Sequence, residues 1–196
     1  ESLRARVVKP QGLGVERDFV EAPSQMLENW CWQDEALGLM SAHIVGGQKL
    51  PAAMLEKMVA SRDSAAGMFG TRQIAFGLFD QALHSVTPAS GAKAGTHAID
   101  TAAIFAGIWA ELTGIPSTDG TNIAASFGHL ASGYDAQYFG YMWSEVFSKD
   151  MFYTRFGGSK GLLDPLSGMD YRKKVLAVGA SRDAMPCGPR CWYACF

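Results

Sequence analysis

The sequence predicts a mostly α protein, and three observations lead there. Apolar residues recur at three- and four-residue spacing over long stretches of the chain. Period-2 alternation, the mark of half-buried strands, is scarce. No internal repeat and no dinucleotide or phosphate-loop glycine pattern interrupts the helical periodicity.

The elements follow in order. Residues 1–17 show no clear period and contain KPQGLG, a breaker-rich loop. From Asp18 the pattern turns helical, with Phe19, Met26, Leu27, Trp30, Leu37, Leu39 and Met40 in phase, and Gly46–Gly47 ends that arm. Pro51 suits the first turn of a long helix, because its missing N–H would have had no partner there. Met54, Leu55, Met58, Val59, Met68, Phe69, Ile74, Phe76, Leu78 and Phe79 carry that helix to about Leu83. TPASGAKAG, Thr87–Gly95, is a loop, and a further helix covers Ala98 to Leu112. Gly114–Ser132 is rich in Gly, Ser, Thr and Asn and reads as irregular. Asp135 to Phe156 is helical again, with Tyr138, Met142, Trp143, Val146, Phe147, Met151 and Phe152 on one broad face.

Composition narrows the function classes. The 196 residues make one ordinary domain or part of a larger one, and 48% hydrophobic residues support a sizeable core. A formal net charge of -2, with no basic stripe, argues against nucleic acid or an anionic membrane surface as partner. The longest apolar run, AAIFAGIWA, is too short to span a bilayer and meets Glu111 at once. Cys31 stands alone, and Cys187, Cys191 and Cys195 fall in the last ten residues. That is no disulfide framework, so a reducing, intracellular setting fits better.

Within the first helical arm, Glu21, Ser24, Gln25 and Glu28 fall at i, i+3, i+4 and i+7, hence on one helix face. On spacing alone a solvated face is the simpler reading. If the helix is buried, the stripe must instead find a metal, an arginine or other hydrogen-bonding partners. The residues FVEAPSQMLENW, however, resemble the segment after the zinc-binding helix of the thimet oligopeptidase and neurolysin family of zinc metallopeptidases, closer to thimet oligopeptidase. The resemblance implies that Glu21 is the third zinc ligand, with two histidines and a catalytic Glu on an upstream HExxH helix. It also implies Ser24, Gln25 and Glu28 as groups that brace the ligands.

A second stretch, GTNIAASFGHLASGYDAQYFGYMWSEVFSKDMFYTRF from Gly120 to Phe156, resembles the same family. On composition alone, its histidine reads as a structural group and its clustered rings as core or interface. By position the resemblance makes His129, Tyr134 and Tyr141 catalytic, as donors to a developing oxyanion, and Tyr138 and Gly133 substrate-binding. Such donors are worth about 2.7–4 kcal/mol when well placed. Gly128, Gly133 and Gly140 would give the loop freedom to close on a peptide. MLEKMVASR, TRQIAFGLFDQALH, GMDYRKKVL and GASRDAM are also family-like.

The family reading implies part of a large multi-helix zinc-metallopeptidase catalytic domain. Its function is hydrolysis of short peptides by a zinc-activated water, with one Zn2+ per complete enzyme. It implies a cytoplasmic protein, with the mitochondrial intermembrane space or matrix as the alternative. The sequence departs from the family at one decisive point: no HExxH is present, since His43, His84, His97 and His129 are followed by Ile, Ser, Ala and Leu. Residues 1–14 and 186–196 look divergent around a partial catalytic domain at 15–185, as a partial chain would. The expectation is weak or absent zinc binding and no hydrolysis by this chain alone. The alternative is a non-catalytic helical module that binds peptides or partners. Cys187, Cys191 and Cys195, spaced by four, could share a helix face and bind metal, though a tail without function is the simpler reading.

Overall fold

The computed structural model describes residues 14–85, 99–157 and 161–181. Among them every regular element is helical, and no strand forms. The expected loop at Thr87–Gly95, His97 and the three late cysteines lie outside the described residues. The described residues cluster as two compact units, one drawn from Glu1–Arg62 and Tyr141–Phe196, the other from Asp63–Gly140.

In the first unit, helix α1 spans Ala22–Glu28, four residues later than the periodicity suggests. Pro23 in its first turn explains the shift. A proline has no N–H to donate, so a continuous helix from Asp18 would lose a rung there. The chain instead enters by turns, with Phe19 N and Val20 N both donating to the Glu16 carbonyl, at 3.0 and 2.9 Å. A 3-10 turn at Asn29–Trp32 and helix α2, Asp34–Met40, follow, separated by the extended Gln33. The chain then folds back at His43, whose Nδ1 accepts the backbone N–H groups of Val45 and Gly46 at 3.3 and 3.0 Å.

Helix α3, Ala52–Ser61, stops well short of the long helix expected from Pro51, and a new helix starts only at Ala66 in the second unit. Ser61, Asp63 and Ser64 favour local turns over a helical rung. The Ser61 hydroxyl indeed bonds back to the Met58 carbonyl at 2.7 Å. Arg62 is anchored to its own unit, donating to Asn29 Oδ1 at 3.2 Å with its guanidinium 5.6 Å from the Trp32 ring.

Helix α6, Gly140–Arg155, carries most of the first unit's core. Phe147, Met151, Phe152 and Phe156 close on Phe19, Ala22, Met26 and Tyr171. Ala22 and Met26 are four apart on α1 and Phe19 sits in the turn before it, so one side of α1 faces α6. Trp30 packs edge-on to Phe152 and Phe156, with centroids 4.9 and 4.8 Å away, and its indole N–H donates to the Leu162 carbonyl at 3.3 Å. Leu27, expected to pack with these residues, is 54% exposed, because it lies beside the polar stripe rather than opposite it. Helix α7, Pro165–Tyr171, is capped by Asp164 and runs into a π turn at Arg172–Leu176.

In the second unit, helix α4 covers Ala66–His84 and helix α5 covers Thr101–Thr113. Asp100 caps α5 by accepting from Ala103 N at 2.9 Å. Gly114, at φ 69, ends it in the left-handed conformation that glycine adopts without penalty. The two helices meet through rings: Phe105 stacks on Phe76 at 6.1 Å and stands edge-on to Phe79 at 5.3 Å.

Two substitutions test the first unit's packing. Phe152→Ala empties a fully buried site and is expected to cost about 3–5 kcal/mol, read from the denaturation midpoint. The Tyr171 hydroxyl is buried without a hydrogen-bond partner among the described residues, and burial pushes it above the usual phenol range. Tyr171→Phe removes that polar burden of about 1–3 kcal/mol, so stability is expected to hold or rise in the same experiment. A marked loss would show that the hydroxyl is bonded.

Candidate functional site

The second unit builds its site around one face of α4. Gln73, Phe76 and Asp80 lie at i, i+3 and i+7, so they stack along one side of the helix. All three meet Tyr138. Its hydroxyl donates to Gln73 Oε1 at 3.1 Å, its ring stands edge-on to Phe76 at 5.6 Å, and its backbone N–H donates to Asp80 Oδ2 at 2.9 Å.

Asp80 is fully buried, and a buried carboxylate must be paired or hydrogen-bonded. Its second oxygen accepts the Ala136 N–H at 3.0 Å and lies 2.9 Å from His84 Nδ1. Ala136 is held at φ 60, a left-handed conformation that costs a residue with a Cβ about 1–2 kcal/mol. Its carbonyl accepts from Gln81 Nε2 at 2.8 Å, so both of its backbone polar groups are tied to α4. This capture keeps residues 135–139 out of helical conformation and explains why α6 begins at Gly140 rather than at Asp135.

The stretch expected to be irregular, Gly114–Ser132, contains two short 3-10 turns, Ile123–Ala125 and Gly128–Ala131. Asn122 starts the first by accepting from Ala124 N, and its side-chain amide donates to the Thr101 hydroxyl at 3.2 Å. The second presents His129. Its imidazole lies among three rings, with centroids 5.3 Å from Phe127, 5.5 Å from Tyr134 and 5.5 Å from Tyr138. His129 and Tyr134 are half-buried and Tyr138 is buried. Of the three glycines expected to loosen this loop, Gly133 alone takes a positive φ, 92, and its N–H donates to Asp135 Oδ1.

A cavity of about 560 Å³ opens in this unit, and His129, Tyr138, Gln73, Arg72 and Phe127 are among its lining residues. Its size suits a small ligand or a few residues of peptide. Aromatic faces, an imidazole, a guanidinium and hydroxyls give it apolar contact and directional hydrogen bonding together.

The remaining expected residues lie in the first unit. Glu21 sits at the N-terminal boundary of α1 and is half-buried. The Ser24 hydroxyl is 2.8 Å from the Glu21 carbonyl oxygen and 3.2 Å from its Oε2, one donor shared between two acceptors. Gln25 Nε2 donates to the Tyr141 carbonyl at 3.0 Å, while Gln25 Oε1 is buried with no partner among the described residues. Ser24 and Glu28 are exposed. The stripe is thus half solvated and half engaged: Gln25 is tied to the start of α6, and Glu28 faces water. Glu21 is one carboxylate, and among the described residues no group of three His, Cys, Asp or Glu side chains gathers to hold a metal. A catalytic zinc takes three protein ligands, so the described residues alone do not fit one.

Sequence reasoning passed over Asp80, Gln73 and Arg72. The signal for Asp80 was present: a lone carboxylate inside AFGLFDQAL, in phase with Phe76, marks a buried acceptor in need of donors.

Residues 2–189 match the model of Peptidase family M3. The thimet-like oligopeptidase of Dictyostelium discoideum is 40% identical over 173 residues, covering 87% of this chain and 24% of that protein. Oligopeptidase A of Haemophilus influenzae is 36% identical over 88% of this chain and 24% of its own length. Saccharolysin of Saccharomyces cerevisiae is 37% identical over 85% and 22%. The chain therefore spans about a quarter of the length of the curated relatives it matches. No described helix is long and apolar enough to cross a membrane.

Asp80→Asn turns one acceptor oxygen into an amide that opposes an N–H. The expected cost is about 1–3 kcal/mol, the penalty for a buried donor left unsatisfied. Hydrogen exchange at the Ala136 and Tyr138 amides should quicken about tenfold or more, and more than elsewhere in the unit. Uniform acceleration across the chain would instead mark Asp80 as a general stabiliser.

Proposed function

The chain belongs to peptidase family M3, and on that footing we propose that it carries the peptide-binding wall of a zinc-dependent oligopeptidase acting on short peptides. The observation that supports this best is the cavity in the second unit, where His129 and Tyr138 share a wall with hydroxyls and aromatic faces. A peptide needs such a surface, because its backbone must exchange water for directional donors while its side chains find apolar contact.

The proposed roles follow from the chemistry of each group. His129 and Tyr134 offer an N–H and an O–H to a carbonyl oxygen gaining negative charge as it is attacked. Tyr141 offers a phenol from the first turn of α6. Tyr138 lines the bound peptide, its hydroxyl oriented by Gln73. Gly133 leaves the approach to Tyr134 without a Cβ. Glu21 is proposed as a zinc carboxylate, with Ser24, Gln25 and Glu28 bracing it; the buried, unpartnered Gln25 Oε1 suits a donor supplied by a ligand side chain. In a complete enzyme, where further ligands joined Glu21, zinc would supply an acidified water.

The absence of HExxH from the sequence favours a second reading for this chain acting alone: it binds peptides and hydrolyses none. Its sparse cysteines fit a cytoplasmic or mitochondrial setting.

Two measurements test the pair of readings. A fluorescein-labelled hexapeptide should bind the chain, and His129→Ala should weaken that binding about tenfold, the loss of roughly one hydrogen bond. A quenched peptide incubated with the chain and zinc should remain uncleaved. Chelator-sensitive cleavage would overturn the inactivity, and failure to bind any short peptide would overturn the peptide-wall reading.

A further inference from the structure

Among the described residues lining the cavity, Arg72 is the one Lys, Arg, Asp or Glu. Gln73, Ser126 and Ser132 on the walls are neutral hydrogen-bonding groups. Arg72 is thus the described lining residue able to pair with an anionic group of a ligand.

The guanidinium is also held in place. Its central carbon lies 5.1 Å from the centroid of the Phe76 ring, one helical turn along α4. Phe76 is buried and wedged among Phe105, Phe127 and Tyr138, so the platform beneath the cation is rigid. An arginine fork already ordered against a ring gives up less side-chain entropy when it binds. The group that best matches a planar, five-donor fork is a carboxylate, taken through two parallel N–H···O bonds.

We propose that Arg72 captures a carboxylate of the peptide in this cavity, so that the chain selects peptides bearing a free C-terminus or an acidic side chain at that position. The inference rests on the cavity being the peptide site proposed above. It gives that site a polarity along the substrate: the anionic group sits at Arg72, and the backbone runs on past Tyr138 and His129.

The test is a set of anisotropy titrations of the 196-residue chain with three N-terminally labelled peptides of one core sequence. The first has a free C-terminal carboxylate, the second a C-terminal amide, and the third an amide with glutamate as last residue. The free acid should bind roughly tenfold or more tightly than the neutral amide, as a charge-assisted pair implies. That margin should shrink as salt rises. In Arg72→Gln the three peptides should converge on the affinity of the amide, and in Arg72→Glu the order should reverse. Arg72 is exposed, so both variants should keep the wild-type unfolding midpoint. Tight binding of the glutamate amide would identify a side-chain carboxylate as a source, and weak binding would assign the terminus; both support capture by Arg72. Binding that depends on His129 but not on the peptide's charge overturns the role of Arg72 and leaves the peptide site standing. Failure of all three peptides to bind overturns both.

Discussion

A carboxylate buried in the middle of a helix has to be satisfied, and in the second unit nearly everything near the site depends on how that is done. Asp80 takes two backbone N–H groups from a segment more than fifty residues along the chain, and His84 Nδ1 lies beside the oxygen that accepts from Ala136. Each of those bonds is strengthened because its acceptor is shielded from water. They hold Ala136 left-handed, delay the start of α6 and set the ring of Tyr138 against Phe76, Phe127 and His129. Remove the carboxylate, and residues 136–138 have reason to join the helix that follows. The tyrosine would then leave the face on which Gln73 orients its hydroxyl.

The first unit is organised differently. Its core is a cluster of aromatic and aliphatic side chains from α1, α6 and α7, with Trp30 packed on two phenylalanines. Polar groups there act as stitches rather than as an organising centre. Asn29, almost fully buried, bonds back to α1, approaches Ser148 on α6 and accepts from Arg62. Ser144 donates to the Asp18 carbonyl at 2.8 Å, tying the turn before α1 to α6. Glu21 emerges at the edge of this packing because Pro23 sets where α1 begins, leaving the carboxylate at the helix boundary with Ser24 as its hydrogen-bond donor.

Helix identity was legible from periodicity, and helix limits were not. Apolar spacing located the helices around Met26, Phe76, Phe105 and Met151, because burial of one face is the signal that periodicity measures. The missed boundaries have causes that apolar spacing does not register: a proline at the start of α1, turn-forming polar side chains after α3, and a contact distant in sequence before α6. Nothing within Asp135–Phe139 announces that Asp80 will take its N–H groups. Arg62, just past α3, likewise has its side-chain partners far back in the chain, at Asn29 and Trp32. At the site, the family resemblance pointed to His129, Tyr134 and Tyr138, which the fold gathers. It was silent about Arg72, Gln73 and Asp80, because that helix carries no catalytic motif to draw the eye. Periodicity also misjudged Leu27: a side chain at the seam of two faces goes to whichever neighbour exists, and here it meets solvent.

The two α4 side chains that grip Tyr138 stand seven residues apart, two turns of one helix, and that distance is a length standard rather than a chemical preference. Inserting or deleting a single residue between Gln73 and Asp80 would rotate one against the other by about 100°. The hydroxyl and the backbone N–H of Tyr138 could then no longer both be reached. Ile74 and Leu78, exposed on the other side of the same two turns, have no such claim on them. Over this segment, spelling is free to drift on one face while chain length is not. A recombination junction placed here would have to preserve register even where it preserved little else.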